Sequence, residues 1–257
     1  MRGENMLEIK NLRKIYKENT ANAVTALKDV NLKVEDGDFL AIMGESGSGK
    51  TTLLNIISLI DKETSGQIFL DDKEILSLSE KEKSDFRRDN FGYIFQDFNL
   101  LDNFDVRENI LLPLVLREEN PDDFENKLMP IVNKLGITEL LNKYPAEISG
   151  GQKQRMAVAR ALIINPKIIL ADEPTGQLDS SSSEDLLNYF ERINQDGNTI
   201  LMVTHSNIAA SFAKRVLFIR DGKIFNEIYK ADDSRDQFYK RISDSLNFLR
   251  AAKNETH

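Results

Sequence analysis

The stretch Gly44-Glu45-Ser46-Gly47-Ser48-Gly49-Lys50-Thr51 constrains this chain more than any other. It fits G-x-x-x-x-G-K-[ST], the phosphate-binding loop. An apolar run, residues 39–43, precedes it and reads as a strand. Thr52-Leu53-Leu54-Asn55-Ile56-Ile57 follows it and reads as a helix. Strand, glycine loop, helix is the context that separates this motif from a chance glycine turn. Glycines remove Cβ atoms, so backbone N–H groups can turn inward around an anion. The helix start adds partial positive charge at the same place. Lys50 has the reach for β- and γ-phosphates, and the Thr51 hydroxyl can ligate Mg²⁺.

Composition removes several alternatives. A chain of 257 residues is one large domain or two small ones. It has no cysteine and two histidines, His205 and His257, which excludes disulfides, cysteine-ligated zinc and a histidine-rich metal site. A net charge of −8 argues against a general nucleic-acid binder, which would show a basic face. No apolar run approaches the ~20 residues of a membrane span. The first residues carry no apolar leader pattern, Met6 is a candidate alternative start, and a cytosolic address is the expectation.

Taken in order, residues 7–34 read as strand, loop, strand, with apolar alternation at 7–9 and 32–34. Tyr16 between them is either a base-stacking aromatic or a half-buried strand residue. Residues 67–70 read as a strand after the Ser65-Gly66 turn. Ser79, with Glu82 three residues on, opens a charged helix. Residues 91–95 form the next strand and deliver Gln96 at its end, where ligands bind in α/β sheets; the alternative is a solvated loop glutamine. Residues 106–116 are mainly apolar and predict a well-buried helix. Asn120-Pro121 starts another, which runs to Leu135, ends at Gly136, and should kink or break at Pro130.

Ser149 caps a helix that begins Gly150-Gly151-Gln152, making a second candidate anion site from a hydroxyl, bare amides and a helix dipole. Residues 167–171 are a fully buried strand ending in Asp172-Glu173. Beside a phosphate loop, Asp172 can hold Mg²⁺ through water and Glu173 can polarise an attacking water. Residues 180–194 read as a helix, and 199–204 as a buried strand ending in His205. Asp221-Gly222 marks a hairpin. The tail from Asp233 turns helical, with Phe238, Ile242, Leu246 and Leu249 on one stripe.

Phosphate loop, strand-end Gln96, Ser149-Gly150-Gly151-Gln152, Asp172-Glu173, the Leu178-Asp179 turn and His205 stand in one order and spacing. Together they resemble the ATP-binding cassette (ABC) family over about residues 6–230. The resemblance implies an α/β fold: a phosphate-loop nucleotide-hydrolase core with a mixed sheet, an N-terminal antiparallel β subdomain and an inserted helical subdomain at about 97–164. Residues 1–230 would be a single ATPase domain and 231–257 a helical tail. It implies ATP and Mg²⁺ as cofactors. Tyr16 matches the aromatic that stacks on adenine; Gly44, Glu45, Ser46, Gly47, Ser48, Gly49, Lys50, Thr51 and Thr52 match the first phosphate motif. Thr51, Gln96 and Asp172 would hold Mg²⁺, with Gln96 also sensing the attacking water. Glu173 matches the catalytic glutamate and His205 the switch histidine. Ile148 to Gln152 matches the signature, with Ile148 where leucine is usual. Gln177 stands where close relatives often have asparagine.

Such cassettes pair head to tail, so Ser149, Gly150, Gly151 and Gln152 would face the ATP of the other copy, and Leu178 and Asp179 would lie at the dimer contact. The implied partners are a second cassette and a separate transmembrane permease, with no nucleic acid and no direct lipid insertion. The implied place is the cytoplasmic face of the membrane. Residues 98–110 are similar to the lipoprotein-release and macrolide-export branch. Leu111-Leu112-Pro113-Leu114 and the tail from Gln237 are more similar to bacitracin-type antimicrobial-peptide exporters. A non-transport member of the superfamily is a rival, but no long coiled coil and no second cassette is present. A phosphate-loop kinase or GTPase would leave the signature and His205 unexplained.

Overall fold

The computed structural model describes residues 5–254, with side chains over 6–248. In chain order the elements are β1 (Asn5–Tyr16), β2 (Val24–Glu35), β3 (Phe39–Met43), α1 (Lys50–Ile57), β4 (Ser65–Leu70), β5 (Lys73–Glu74), α2 (Glu80–Asn90), β6 (Phe91–Ile94) and α3 (Val106–Leu116). They continue with α4 (Phe124–Leu135), α5 (Gly150–Leu162), β7 (Ile168–Asp172), α6 (Ser180–Gln195), β8 (Thr199–Val203), α7 (Asn207–Ala210), β9 (Arg215–Arg220), β10 (Lys223–Tyr229) and α8 (Arg235–Asn254). Two compact units result: Met1–Ser77 with Leu201–His257, and Leu78–Ile200.

The first unit holds an antiparallel sheet in the order β2-β1-β4-β5. β1 and β2 are each 12 residues long, so much of the stretch expected to be loop between them is strand. Asn11 and Asp29 explain the difference. Both have positive φ, 48° and 53°, and the register shifts around them. Such bulges break the two-residue alternation that marks a strand in sequence. Leu7, Ile9, Leu12, Leu27, Val30, Leu32 and Val34 still point inward and are buried.

The same unit carries β10-β9-β3-β8, mixed in direction: β10 runs antiparallel to β9, and β9 parallel to β3. All five residues of β3 are buried, as its uninterrupted apolar run requires. Asp221 and Gly222 turn the β9–β10 hairpin with φ of 49° and 78°, the positive pair that a two-residue turn needs. Arg215 locks the base of β9, donating to Asp38 Oδ2 at 2.7 Å and to Lys33 O at 2.6 Å, and pairing with Glu227. The tail helix α8 belongs to this unit. Phe238 and Ile242 of its stripe are fully buried, Leu246 is half-buried, and the Leu249 side chain lies outside the described residues. No helix among the described residues is long and apolar enough to cross a membrane.

The second unit pairs β6 with β7 in parallel, Phe91 opposite Ile168. Three of its helices start on reciprocal caps: Ser79 with Glu82 on α2, Asp105 with Glu108 on α3, and Ser149 with Gln152 on α5. Two expectations need correction. Helix α4 passes through Pro130 without a break and ends at Gly136, φ 62°. Pro130 lies on the exposed side, where the carbonyl one turn back loses its N–H partner at least cost. Helix α3 is not buried all round. Val106, Ile110 and Leu114 are buried, while Val115 and Leu116 are 54% and 59% exposed. Its apolar residues encircle the axis, and one side of a helix can always be left uncovered.

Asn109 is the buried polar residue on the inner face of α3. Its Nδ2 donates to the carbonyls of Leu101, Phe104 and Asp105, each at 3.0 Å, and its Oδ1 accepts the Leu101 N–H at 2.9 Å. One side chain thus ties down the irregular segment before α3. Asn109→Ala strips these partners from buried backbone and should destabilise the protein by about 1–3 kcal/mol in urea unfolding. Faster amide exchange at Leu101 should accompany the loss.

Candidate functional site

In the first unit, β3 ends at Met43 and the chain turns through 44–49 into α1. The turn passes so close to other backbone that side chains cannot fit. A Cβ at Gly44 would sit 2.2 Å from Ile219 O, and one at Gly49, φ 106°, would sit 2.4 Å from Ala26 O. At Gly47 a Cβ would meet nothing within 4 Å, so the rim of the loop opens outward. The Lys50 ammonium reaches back across the loop to the carbonyls of Gly44 and Glu45, both at 3.0 Å. Ser48 Oγ is buried beneath the loop without a hydrogen-bond partner. No side chain caps the start of α1. An ammonium, an unpartnered hydroxyl and uncapped helix amides at one turn fit a polyphosphate.

Tyr16 closes the end of β1 at 39% exposure. Its hydroxyl donates to Asp61 Oδ2 at 2.7 Å and lies 3.3 Å from Thr52 Oγ1, while the Lys14 ammonium sits 4.5 Å from the ring centroid. Burial, and then the Asp61 bond, push the phenol above its ordinary pKa. Asp61, which sequence reasoning missed, therefore anchors the aromatic beside the loop. His205 is exposed just past β8. The buried Thr204 fixes the backbone there: its N–H donates to Ile42 O at 3.1 Å, and its Oγ1 accepts the Ser206 N–H at 3.0 Å. A cavity of about 510 Å³ opens between residues 44–48, His205, the Asp221 turn and the C-terminal helix.

The second unit gathers the remaining predicted residues. Asp172 ends β7, and Glu173 follows in a left-handed backbone, φ 46°, a costly conformation for a non-glycine residue. The Gly176 N–H donates to Glu173 O at 2.9 Å, and a Cβ on Gly176 would come 3.3 Å from Gln96 Nε2. Gln96 thus lies against the turn that carries Glu173. Gln177 Nε2 donates to Asp97 Oδ1 at 2.5 Å, so the longer side chain at 177 ties the two loops together. Burial, with Asp172 nearby, raises the Tyr93 phenol.

Ser149 caps α5 as expected, accepting the Gln152 N–H at 3.3 Å. A Cβ on Gly151 would meet Ser182 Oγ at 2.8 Å, so the signature packs on the turn where Asp179 caps α6. Leu178 lies in that same turn, its N–H donating to Thr175 O. Arg160 was not singled out from sequence. It projects from α5 to donate to Asn99 O at 2.6 Å and Phe98 O at 2.8 Å. Both carbonyls belong to residues with positive φ, 47° at Asn99 and 59° at Phe98. Its signal was a lone arginine after the buried run Met156-Ala157-Val158-Ala159.

Comparison with known proteins identifies the family. The family model described as ABC transporter matches residues 27–176. The ABC transporter ATP-binding protein YxdL of Bacillus subtilis is 49% identical over 252 residues, 98% of this chain and 97% of that protein. The bacitracin export ATP-binding protein BceA of Halalkalibacterium halodurans is 47% identical over 97% of this chain and 99% of its own length. A solved cassette, MJ0796 of Methanocaldococcus jannaschii, in a dimeric post-hydrolysis state bound to ADP and Pi, superposes with a TM-score of 0.80 at 38% identity. It covers 87% of this chain and 98% of its own. The sequence similarity to the bacitracin-type branch therefore holds over nearly the whole length, and the chain belongs to the ABC transporter family as one of its ATP-binding proteins.

Proposed function

We propose that this chain hydrolyses MgATP to drive a separate membrane permease, exporting antimicrobial peptides or conferring resistance to them. The observation that carries the ATPase reading is the loop at 44–51, with Lys50 across its mouth and Ser48 Oγ unpartnered beneath it. The name of BceA supports the cargo class. Residues 1–230 act as one cassette and 231–257 as an appended helix.

In this reading Tyr16 stacks on adenine and residues 44–52 hold the phosphates, with Lys50 releasing its two carbonyls to take up phosphate oxygens. Thr51, Gln96 and Asp172 hold Mg²⁺, a hydroxyl, an amide and a carboxylate being oxygen donors suited to a hard cation. Bound there, Mg²⁺ neutralises charge on the β- and γ-phosphates. Glu173 accepts a proton from the attacking water and His205 aligns the γ-phosphate. Ser149, Gly150, Gly151 and Gln152 contact the ATP of a second copy, and Leu178 and Asp179 form the contact between copies. The dimeric MJ0796 structure supports the pairing.

The permease contact falls in the second unit. A hollow of about 350 Å³ is lined by Tyr93, Phe95, Leu112, Pro113, Leu116 and the Arg160 side chain. Leu101 is 43% exposed, with Phe98 and Phe104 half-buried in the same segment. An apolar hollow beside the Gln96 loop suits a short permease helix, because closure at the nucleotide then moves the docking surface. The chain thereby sits on the cytoplasmic face of the membrane through its partner, without nucleic acid and without entering lipid itself.

Glu173→Gln should lower steady-state turnover by ~10²–10⁴-fold with ATP affinity intact, the loss expected for a positioned general base. Lys50→Ala should instead weaken ATP binding in calorimetry. Near-normal turnover in the first or unchanged affinity in the second contradicts the assigned roles. With Mg-ATP, the Glu173→Gln protein should sediment as a dimer, and adding Ser149→Arg should return it to monomer. Leu116→Asp should leave ATP binding unchanged and lower recovery of the chain with permease-containing membranes; equal recovery would place the docking surface elsewhere.

A further inference from the structure

We propose that the C-terminal helix α8 positions His205, acting through Ser243 and Asn207. This inference rests on the hydrolytic role of His205 given above and adds a residue to it from outside the ATPase motifs.

His205 is exposed, so packing alone does not hold it. On its N-terminal side Thr204 is fixed to β3. On its C-terminal side the chain enters α7, a helix of four residues that Ser206 caps by accepting the Ala209 N–H at 3.2 Å. A helix this short has little stability of its own and takes its position from what it touches. It packs against β3 through the buried Ala209 and Ala210, and against α8. Asn207, two residues after His205, donates from Nδ2 to Ser243 Oγ at 3.0 Å. Ser243 gives its own proton to Tyr239 O, one turn back, at 3.0 Å. The serine is therefore committed as donor within its helix and presents a lone pair to Asn207.

The far end of this contact is rigid. Phe238 and Ile242 are fully buried. Ser234 and Gln237 cap the helix start reciprocally, at 2.8 and 3.3 Å. The Arg235 guanidinium lies 3.7 Å from the Phe212 ring centroid, and Arg241 donates to Tyr229 O at 3.0 Å. Ser243, Leu246 and Asn247 then form one wall of the 510 Å³ cavity whose other walls include His205 and the first half of the phosphate loop. The tail thus holds the segment two residues after the histidine through the Asn207–Ser243 bond and faces the loop across open space, without supplying a group that touches nucleotide.

The test uses the full chain and its steady-state MgATP hydrolysis. Losing one neutral hydrogen bond that orients the histidine should lower kcat about two- to tenfold. Ser243→Ala should show that fall with KM unchanged, and Ser243→Thr, which keeps the hydroxyl, should restore it. Only two histidines exist, so the His205 imidazole signal in NMR is assignable with His205→Ala. It should shift or broaden in Ser243→Ala and in Asn207→Ala, and return in Ser243→Thr. A Ser243→Ala protein with wild-type kcat and an unmoved His205 signal would overturn the proposal. So would a threonine variant as impaired as the alanine one, since that is a packing defect. If His205→Ala itself turns over normally, the hydrolytic role of His205 falls, while the NMR comparison still decides whether α8 holds it.

Discussion

A charged ammonium held inside a turn of backbone organises the first unit. Lys50 is only 8% exposed, and an ionised group so placed is costly unless hydrogen-bonded. The carbonyls of Gly44 and Glu45 meet that need, and they can do so because the loop curls back over the start of α1. The curl depends on close backbone approach. Gly44 lies against Ile219 of β9, Gly49 against Ala26 of β2, and the Gly222 N–H donates to Ser48 O at 3.1 Å. Strand, hairpin and loop therefore constrain one another. A polyphosphate entering the loop meets a charge already largely desolvated, and its oxygens take the place of the two carbonyls.

The second unit solves a different problem, which is how to hold irregular segments at defined positions. The segment between β6 and α3 is fastened by side chains from helices and from another loop. Asn109 holds the segment before α3, Arg160 the carbonyls of Phe98 and Asn99, and Gln177 the Asp97 carboxylate. The strained backbone at Glu173 sits in the turn that Gly176 closes back onto it. Such strain persists only where neighbours over-determine it. Arg160 ties the loop that follows Gln96 to the signature helix α5 by two hydrogen bonds. The Arg160 side chain also lines the hollow beside Leu112, Pro113 and Leu116.

What the sequence by itself determined was chemistry carried over short spans. The phosphate loop, the reciprocal caps at Ser79 and Ser149 and the Asp221-Gly222 hairpin each rest on hydrogen bonds or dihedral preferences within a few residues. The apolar runs of β3, β7 and β8 were legible for the same reason, since burial on both faces needs nearly every residue to be apolar. Only the tertiary structure decided the rest. The strands β1 and β2 run well beyond the short stretches whose alternation showed in sequence, because bulges at Asn11 and Asp29 reset the period while cross-strand pairing continues. Helix α4 survives Pro130 because that residue faces outward, and α3 leaves Leu116 exposed because its neighbours cover the other side. Asp61 under Tyr16, Arg160 on the Phe98–Asn99 carbonyls and Ser243 on Asn207 join residues 45, 61 and 36 positions apart. No local pattern encodes such pairs, because they exist only once separate elements have packed.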